Sequence, residues 1–461
     1  MKQKKVDVFI CDICGYENIK WFGKCPQCGE WNSSKKITID KSVSKIVSSP
    51  LKDNDDFISS SEFGKTKRTD RLSSGSEQLN RVLGGGIVPG SVILIGGDPG
   101  VGKSTILTQL CLSEKFRSFY ISGEESFEQI MLRRDRVSSE SKHEFFILSS
   151  MNLEYALKTM EKKLAEEQDI QPLLIVDSIQ TMKVENNSSL PGGAVQIREC
   201  TSRLVEFAKS KKIPVFIVAH ITKGGQIAGP KLIEHLVDVV LYFEGDKDTD
   251  LRIMRSNKNR FGPTNEIGVF EMKEKGLQEV SDPSERFYDR EYSLPGNALA
   301  TVLEGSTPII TEVQSLVVRT QFSAPKRLSK GLDIERVSLV TAVLSKRLSI
   351  PVEAHDIYVN LLGGIKIKDP AVELPLAVAI YSSFADKVIP PLTSFFGEIG
   401  LDGKIRPVSY PEKRITELMR LGFKTAVVPF GISKKLDSDI LKNLEIIEFK
   451  FLRDALQYFL K

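Results

Sequence analysis

Between about residues 70 and 280, short apolar runs, "SVILIG", "SFYIS", "PLLIVD" and "PVFIVAH", recur between polar stretches. Runs of this length, rich in Val, Ile and Phe, predict strands buried on both faces. Helix-like stretches at 103–115, 126–137, 152–168 and 195–211 separate them. Strand alternating with helix predicts an α/β domain whose mainly parallel sheet is covered by helices. A further region, 298–461, mixes strand-like "EVQSLVV" and "TAVVPF" with helix-like "LPLAVAIYSSFA". Two stretches break the rhythm. Residues 33–69 are rich in Ser, Lys and Asp with little apolar periodicity, and 281–297, "SDPSERFYDREYSLPGN", carries two Pro and many charges. Both have linker composition. The resulting plan is a module at 1–32, a linker at 33–69, a domain at 70–280, a linker at 281–297 and a domain at 298–461, with no repeat at solenoid period.

The chain of 461 residues suits several cores, and 41% hydrophobic with 27% charged residues is a globular composition. No apolar run approaches the ~20 residues that span a bilayer, and the basic start "MKQKKVDVFICDICG" lacks the apolar core of a secretory signal. A cytoplasmic protein without membrane attachment is expected. Net charge is +4, but residues 1–52 alone hold ten Lys and five acids, so the basicity is local. Such an end can meet nucleic acid or an acidic partner, or be only a solvated surface.

"CDICGYENIKWFGKCPQCGEW" places Cys11, Cys14, Cys25 and Cys28 in two Cys-x-x-Cys pairs, each followed by Gly. The spacing lets two thiolates of a pair reach one ion, and Gly15 and Gly29 permit the tight turn behind them. Four thiolates favour tetrahedral Zn²⁺ with no open position, a structural site that supplies the folding energy of so small a segment. A redox dithiol normally uses one such pair beside a βαβ unit; iron is the other rival. Trp21, Phe22 and Trp31 can stack on bases or pack a miniature core. Cys111 and Cys200 fall in helix-like stretches and are expected as small buried residues.

"SVILIGGDPGVGKSTILTQ" runs strand, glycine-rich loop, helix. Gly97, Asp98, Pro99, Gly100, Val101, Gly102, Lys103, Ser104 and Thr105 form a phosphate-binding loop in the context that gives the motif its meaning. Backbone N–H groups and the helix dipole surround phosphate, Lys103 meets the β and γ oxygens, and Ser104 ligates Mg²⁺. ATP with Mg²⁺ is the expected cofactor. Asp177 ends the strand "PLLIVD", from which a carboxylate can hold a Mg²⁺ water. "YISGEES" brings Glu124 and Glu125 to another strand end. Glu124 is the candidate base that polarises the attacking water, with Glu125 as alternative or as a helix N-terminal acid. His220 ends a fourth strand, where a polar group can sense the γ-phosphate. Two long loops follow, 183–196 and 222–231, the latter bearing Lys223 and Lys231.

"SNKNRFGP" sets Lys258 and Arg260 one residue apart in a predicted strand that Phe261, Gly262 and Pro263 end. Cations two apart on a strand share a side and can together receive a doubly negative group such as a γ-phosphate. A local salt bridge or a DNA-phosphate contact is the alternative.

The segments "RLSSGSEQLNRVLGGGIVPGSVILIGGDPGVGKST", "YISGEES", "VDSIQT" and "KNRFGPTNEIGVFEM", preceded by the four-Cys module, resemble the RadA (Sms) family of bacterial DNA repair proteins, relatives of RecA and of the DnaB replicative helicase. The resemblance spans nearly the whole chain, and "KNRFG" is its most specific part. It implies a RecA-like P-loop NTPase core in a homo-oligomeric, hexameric ring. The loops 183–196 and 222–231 would line a channel for single-stranded DNA, and Lys258 and Arg260 would reach the neighbouring subunit's ATP. It also implies an ATP hydrolase and helicase that extends or branch-migrates recombination intermediates, with branched DNA and the RecA recombinase as partners.

Residues 298–461 are similar to the peptidase domain of Lon, through "VNLLGGIKIKDPAVELPLAVAI" and "FFGEIGLDGKIRPVSYPEKRITELMRLGF". Lon-type cleavage needs a Ser nucleophile and a Lys to take its proton. The Ser position falls at Val372, or with a one-residue slip at Ala371 or Glu373, and the Lys position at Glu412 beside Lys413. A non-proteolytic α/β scaffold is expected. In "SAPKRLSKG", Lys326, Arg327 and Lys330 can contact DNA phosphates or form a solvated loop. An ATP-dependent protease and a KaiC-like regulatory ATPase that binds protein partners are the alternative functions.

Overall fold

The computed structural model describes residues 5–11, 17–18, 20–26, 29–40, 71–138, 143–166, 170–185, 191–220, 233–245, 250–264, 266–280, 282, 284, 287–288, 294–321, 324–362, 366–436 and 444–459. The chain divides into two compact units, Met1–Val280 and Ser281–Lys461.

At the start of the first unit, β1 (Lys5–Cys11) pairs antiparallel with β2 (Glu17–Asn18) and, over all seven residues, with β3 (Ser34–Asp40). The expected linker therefore begins later than residue 33. "SKKITID" has the alternation of a strand, and its Ile37 and Ile39 stand opposite Val8 and Val6. A ribbon this short takes its partner from 29 residues upstream, so its own pattern reads as polar.

The rest of this unit holds α1 (Glu77–Val82), β4 (Val92–Gly97), α2 (Lys103–Cys111), β5 (Arg117–Ser122), α3 (Phe127–Val137), β6 (Phe146–Ser149), α4 (Leu153–Leu164), β7 (Pro172–Asp177), α5 (Ala194–Lys211), β8 (Val215–His220), β9 (Val239–Gly245), β10 (Leu251–Asn259), β11 (Ile267–Lys273) and β12 (Gly276–Glu279). Among the described residues the strands form one sheet in the order β12-β11-β10-β9-β4-β8-β7-β5-β6. The six from β9 to β6 are parallel, and β10 to β12 return antiparallel. β4, β5, β7 and β8 are buried along nearly their whole length, as expected of parallel strands with helices on both faces. One apolar cluster packs under α2 and α3 and a second under α4 and α5. Cys111 and Cys200 are buried in these helices, their thiols pushed up by desolvation.

The second unit contains β13 (Asn297–Glu304), β14 (Thr307–Arg319), β15 (Arg327–Lys330), α6 (Ile334–Leu348), β16 (His355–Leu361), α7 (Glu373–Ala385), β17 (Thr393–Phe395), β18 (Glu398–Ile399), β19 (Ile405–Arg406), α8 (Pro411–Arg420), β20 (Thr425–Pro429), β21 (Glu445–Phe449) and α9 (Leu452–Phe459). Its main sheet runs β15-β16-β14-β13-β17-β20-β21. The expected linker at 281–297 is partly built into this unit. Phe287 and Tyr288 are buried, Tyr288 packs on Phe423 with ring centroids 5.4 Å apart, and Ser284 Oγ accepts from the Ile310 amide. Two aromatics outweigh the surrounding charges once they find an apolar pocket.

Where Lon-type chemistry would sit, this unit is packed. Ala371 and Val372 are fully buried, and Glu373, at the start of α7, accepts from the Ile399 amide. Glu412 and Lys413 lie exposed on α8, with Lys413 Nζ 5.2 Å from the Tyr410 ring centre. The next residue, Arg414, 1% exposed, pairs with Asp369 at 2.8 Å and donates to the carbonyls of Thr301 and Ser409. Asp369 also accepts from the amides of Leu303 and Ala371. Removing one partner of a buried ion pair strands the other charge, at a cost of ~3 to 5 kcal/mol. Asp369→Ala should therefore destabilise this unit by about that much, seen as an earlier transition in denaturant unfolding of the whole chain.

Candidate nucleotide site

In a parallel sheet all strands end at one edge, and here four such ends meet. Gly97 on β4 pairs with His220 on β8, and Ser122 on β5 with Asp177 on β7. The loop after β4 turns where a side chain would not fit. A Cβ on Gly97 would collide with the Phe243 carbonyl, and Gly102, with φ +112°, would bring one within 2.8 Å of Met272. Gly102 caps α2 without a side-chain hydrogen bond, leaving the first N–H groups of the helix for an anion. Asp98, Pro99 and Gly100 are exposed, whereas Val101, Lys103 and Thr105 are buried.

Lys103 Nζ donates to the carbonyls of Gly97 at 2.7 Å and Asp98 at 2.9 Å. Burial draws its pKa down to about 8, opposed by the nearby charges of Asp177, Asp98 and Glu124. Ser104 Oγ donates to Asp177 Oδ2 at 2.6 Å. A hydroxyl and a carboxylate so joined, beside free helix N–H groups and an ammonium, fit a magnesium–nucleotide: Ser104 and Asp177 would stand on its metal side, Lys103 and the loop amides on its phosphates.

Glu124 and Glu125 face different partners. Glu124 accepts from Ser178 Oγ and lies 3.3 Å from His220 Nε2. Its pKa is held below the usual range by the His220 contact first, and by Ser178 and Lys103. Both carboxylate oxygens of Glu125 accept from Nη2 of Arg133 on α3, and its backbone is closed onto Ser122 Oγ. Glu124, Lys103, Ser104, Asp177 and His220 thus come together at one edge. Sequence reasoning missed Tyr120, Ser178 and Arg133, which hold these carboxylates. A phenol between Phe119 and Ile121 in a buried strand was the local sign of Tyr120.

Lys258 and Arg260 do not join that group. Asn259 pairs with Val239, itself opposite Ile93 near the start of β4, so both cations lie at the opposite edge of the sheet. Six residues of β4 put about 17 Å between the two edges. Lys258 Nζ donates to the carbonyls of Glu234, His235 and Val237, and Arg260 pairs with Asp238 at 3.2 Å. Asp238 also accepts from the Val92 amide at the start of β4. These partners, more than twenty residues upstream, have no signature in the sequence around "KNRFG".

Cys11 and Cys25 are buried together against Phe22, with Phe9 beside them. The Gly29 amide, at φ +77°, closes a turn onto the Cys25 carbonyl, as a thiolate-bearing knuckle requires. Cys11 and Cys25 would be two of the four thiolate ligands of a zinc ion, and Cys11 Sγ donates to Ser33 Oγ at 3.2 Å; Cys14 and Cys28 lie outside the described residues. Phe22 belongs to the miniature core, while Trp21 and Trp31 are 63% and 68% exposed. Of the two expected DNA loops, 186–190 and all of 222–231 also lie outside the described residues, and Ala194 already begins α5. Arg327 spends its guanidinium on the carbonyls of Lys326, His355, Val352 and Glu353, whereas Lys326 and Lys330 are exposed. Among the described residues no helix is long and apolar enough to cross a membrane.

A parallel sheet carrying a phosphate loop at its carboxyl edge, with a serine–aspartate pair beside it, defines a RecA-like P-loop ATPase. Family models agree part by part: residues 9–35 match the rubredoxin metal binding domain, 60–226 an AAA domain, and 335–432 subunit ChlI of Mg-chelatase. Relatives match over more than nine-tenths of the chain. The DNA repair protein RadA of Halalkalibacterium halodurans is 42% identical over 98% of both chains. That of Bacillus subtilis is 44% identical over 91% of this chain and 92% of its own. That of Listeria monocytogenes is 41% identical over 99% and 98%. The chain belongs to the RadA family, with a zinc ribbon, a RecA-like ATPase domain and a Lon-like C-terminal domain.

Purified protein should contain about one zinc per chain by elemental analysis. Cys25→Ser should lose it and unfold the first thirty residues while nucleotide binding persists.

Proposed function

We propose that the chain is an ATP-driven motor on single-stranded DNA that extends or branch-migrates recombination intermediates from a hexameric ring. Branched DNA and the RecA recombinase are the expected partners. One observation carries the ring: Lys258 and Arg260 stand at the edge opposite their own phosphate loop. They cannot serve the nucleotide of their own subunit, but a neighbour in a head-to-tail ring can present its γ-phosphate to them.

In this reading, the loop amides and Lys103 bind the β and γ phosphates, and Asp177 and Ser104 hold the metal side. Held there, Mg²⁺ would supply neutralisation of the phosphate charge. Glu124, ionised and free of Glu125's arginine, orients and deprotonates the attacking water, and His220 beside it responds to the γ-phosphate. From His220 the chain enters the loop 222–231, which with 183–196 contacts DNA. A gathered site with a carboxylate base suits hydrolysis; the packed interior around Val372 gives no support to proteolysis.

Glu124→Gln should bind ATP with near-normal affinity and lose most turnover, and single-stranded DNA should raise wild-type ATPase in a salt-sensitive way. Normal turnover in Glu124→Gln would move the base elsewhere. Fingers acting in trans are worth ~10³ to 10⁵ in rate, so Arg260→Ala should bind ATP and hydrolyse it very slowly. Mixing it with Lys103→Ala should restore part of the DNA-stimulated ATPase, because some interfaces then hold one intact finger and one intact loop. Normal ATPase in Arg260→Ala alone would refute the trans role.

A further inference from the structure

Asp177 Oδ2 receives two hydroxyls. One is Ser104 Oγ; the other is the phenol of Tyr120, which donates at 2.5 Å. Tyr120 lies on β5 two residues before Ser122, the residue paired with Asp177 on β7. Residues two apart on a strand share a face, so Tyr120 leans along β5 toward the same carboxylate. Its ring is fully buried in the cluster under α2 and α3, 6.3 Å from Phe145.

A phenylalanine would fill this place equally well for packing, and in a buried apolar strand a hydroxyl costs free energy unless it is bonded. A strand-end carboxylate also has a soft terminal torsion. With two donors converging on Oδ2 from different elements, that torsion is fixed and the other oxygen has a set direction. We infer that Tyr120 is a positioning residue that orients Asp177 for the magnesium side of the nucleotide. The inference rests on the assignment of Asp177 to that side.

Outer partners of metal-side ligands typically change metal affinity by ~10 to 100-fold when removed. The test is Tyr120→Phe in the full-length protein, probed with a fluorescent non-hydrolysable ATP analogue. Binding is measured without divalent ion and then across a Mg²⁺ titration. The expected result is unchanged affinity without Mg²⁺ and a Mg²⁺ midpoint raised about tenfold. An unmoved midpoint overturns the inference even if the melting temperature falls, because that is what a purely structural tyrosine would give. An equal loss of affinity with and without Mg²⁺ overturns it too, since the whole site would then be disturbed. Asp177→Asn runs alongside. If it leaves the midpoint unmoved, the assignment of Asp177 itself fails; if it moves the midpoint and Tyr120→Phe does not, only the role of Tyr120 fails.

Discussion

Strand direction is the constraint on which the rest of this molecule depends. A parallel sheet brings the ends of all its strands, and the loops that follow, to one edge, where no further hydrogen-bonded strand competes for them. The loop after Gly97, Glu124, Asp177 and His220 all stand at that edge because β4, β5, β7 and β8 run together. β10 runs the other way, so residues near its end are carried to the far edge. The same polarity that assembles one half of the proposed ATP site therefore separates Lys258 and Arg260 from it.

Electrostatics inside the edge follow from who is paired with whom. Among the described residues buried Lys103 has no carboxylate ion partner; it leans on two loop carbonyls, and three acids nearby keep its ammonium from being neutralised further. A phosphate arriving between it and the α2 amides would replace carbonyl dipoles with full negative charge, a stronger partner for the same ammonium. Glu124 is half-exposed and held by a hydroxyl and an imidazole, groups that leave it ionised while anchoring it. Glu125, one residue on, is neutralised by Arg133 and serves the turn into α3. Adjacent identical residues have different surroundings because the chain reverses between the strand and the capped helix.

What could be read from the sequence was what is local. Phosphate loop, strand-end acids and Cys pairs are defined by spacing within a few residues, and the helices at Phe127–Val137 and Leu153–Leu164 fall close to their expected spans. What could not be read was brought from afar. Asp238 meets Arg260 across 22 residues and Tyr120 meets Asp177 across 57. Ser34–Asp40 is a strand because Lys5–Cys11 lies beside it, and Phe287 and Tyr288 are core because the second unit offers them a pocket. In each case the neighbours in sequence gave no sign of the partner that the fold supplies.

The second unit combines a Lon-like fold with a closed interior at the stretch that corresponds to the peptidase site. A Ser–Lys pair needs a nucleophile that substrate can reach and a cavity around it. In this chain the corresponding stretch carries Ala371 and Val372, both closed to solvent, and the nearby Gly397 amide is bonded to the Ala371 carbonyl. Asp369 and Arg414 bind one another and the surrounding backbone, so the polar groups of the region are directed inward. Such a pair contributes little net stability against an apolar replacement, but each partner fixes where the other can go. Asp369 ties the start of α7 to β13, and Arg414 ties α8 to the same strand. Interactions that in a peptidase would have to leave a site open here join β13, α7 and α8.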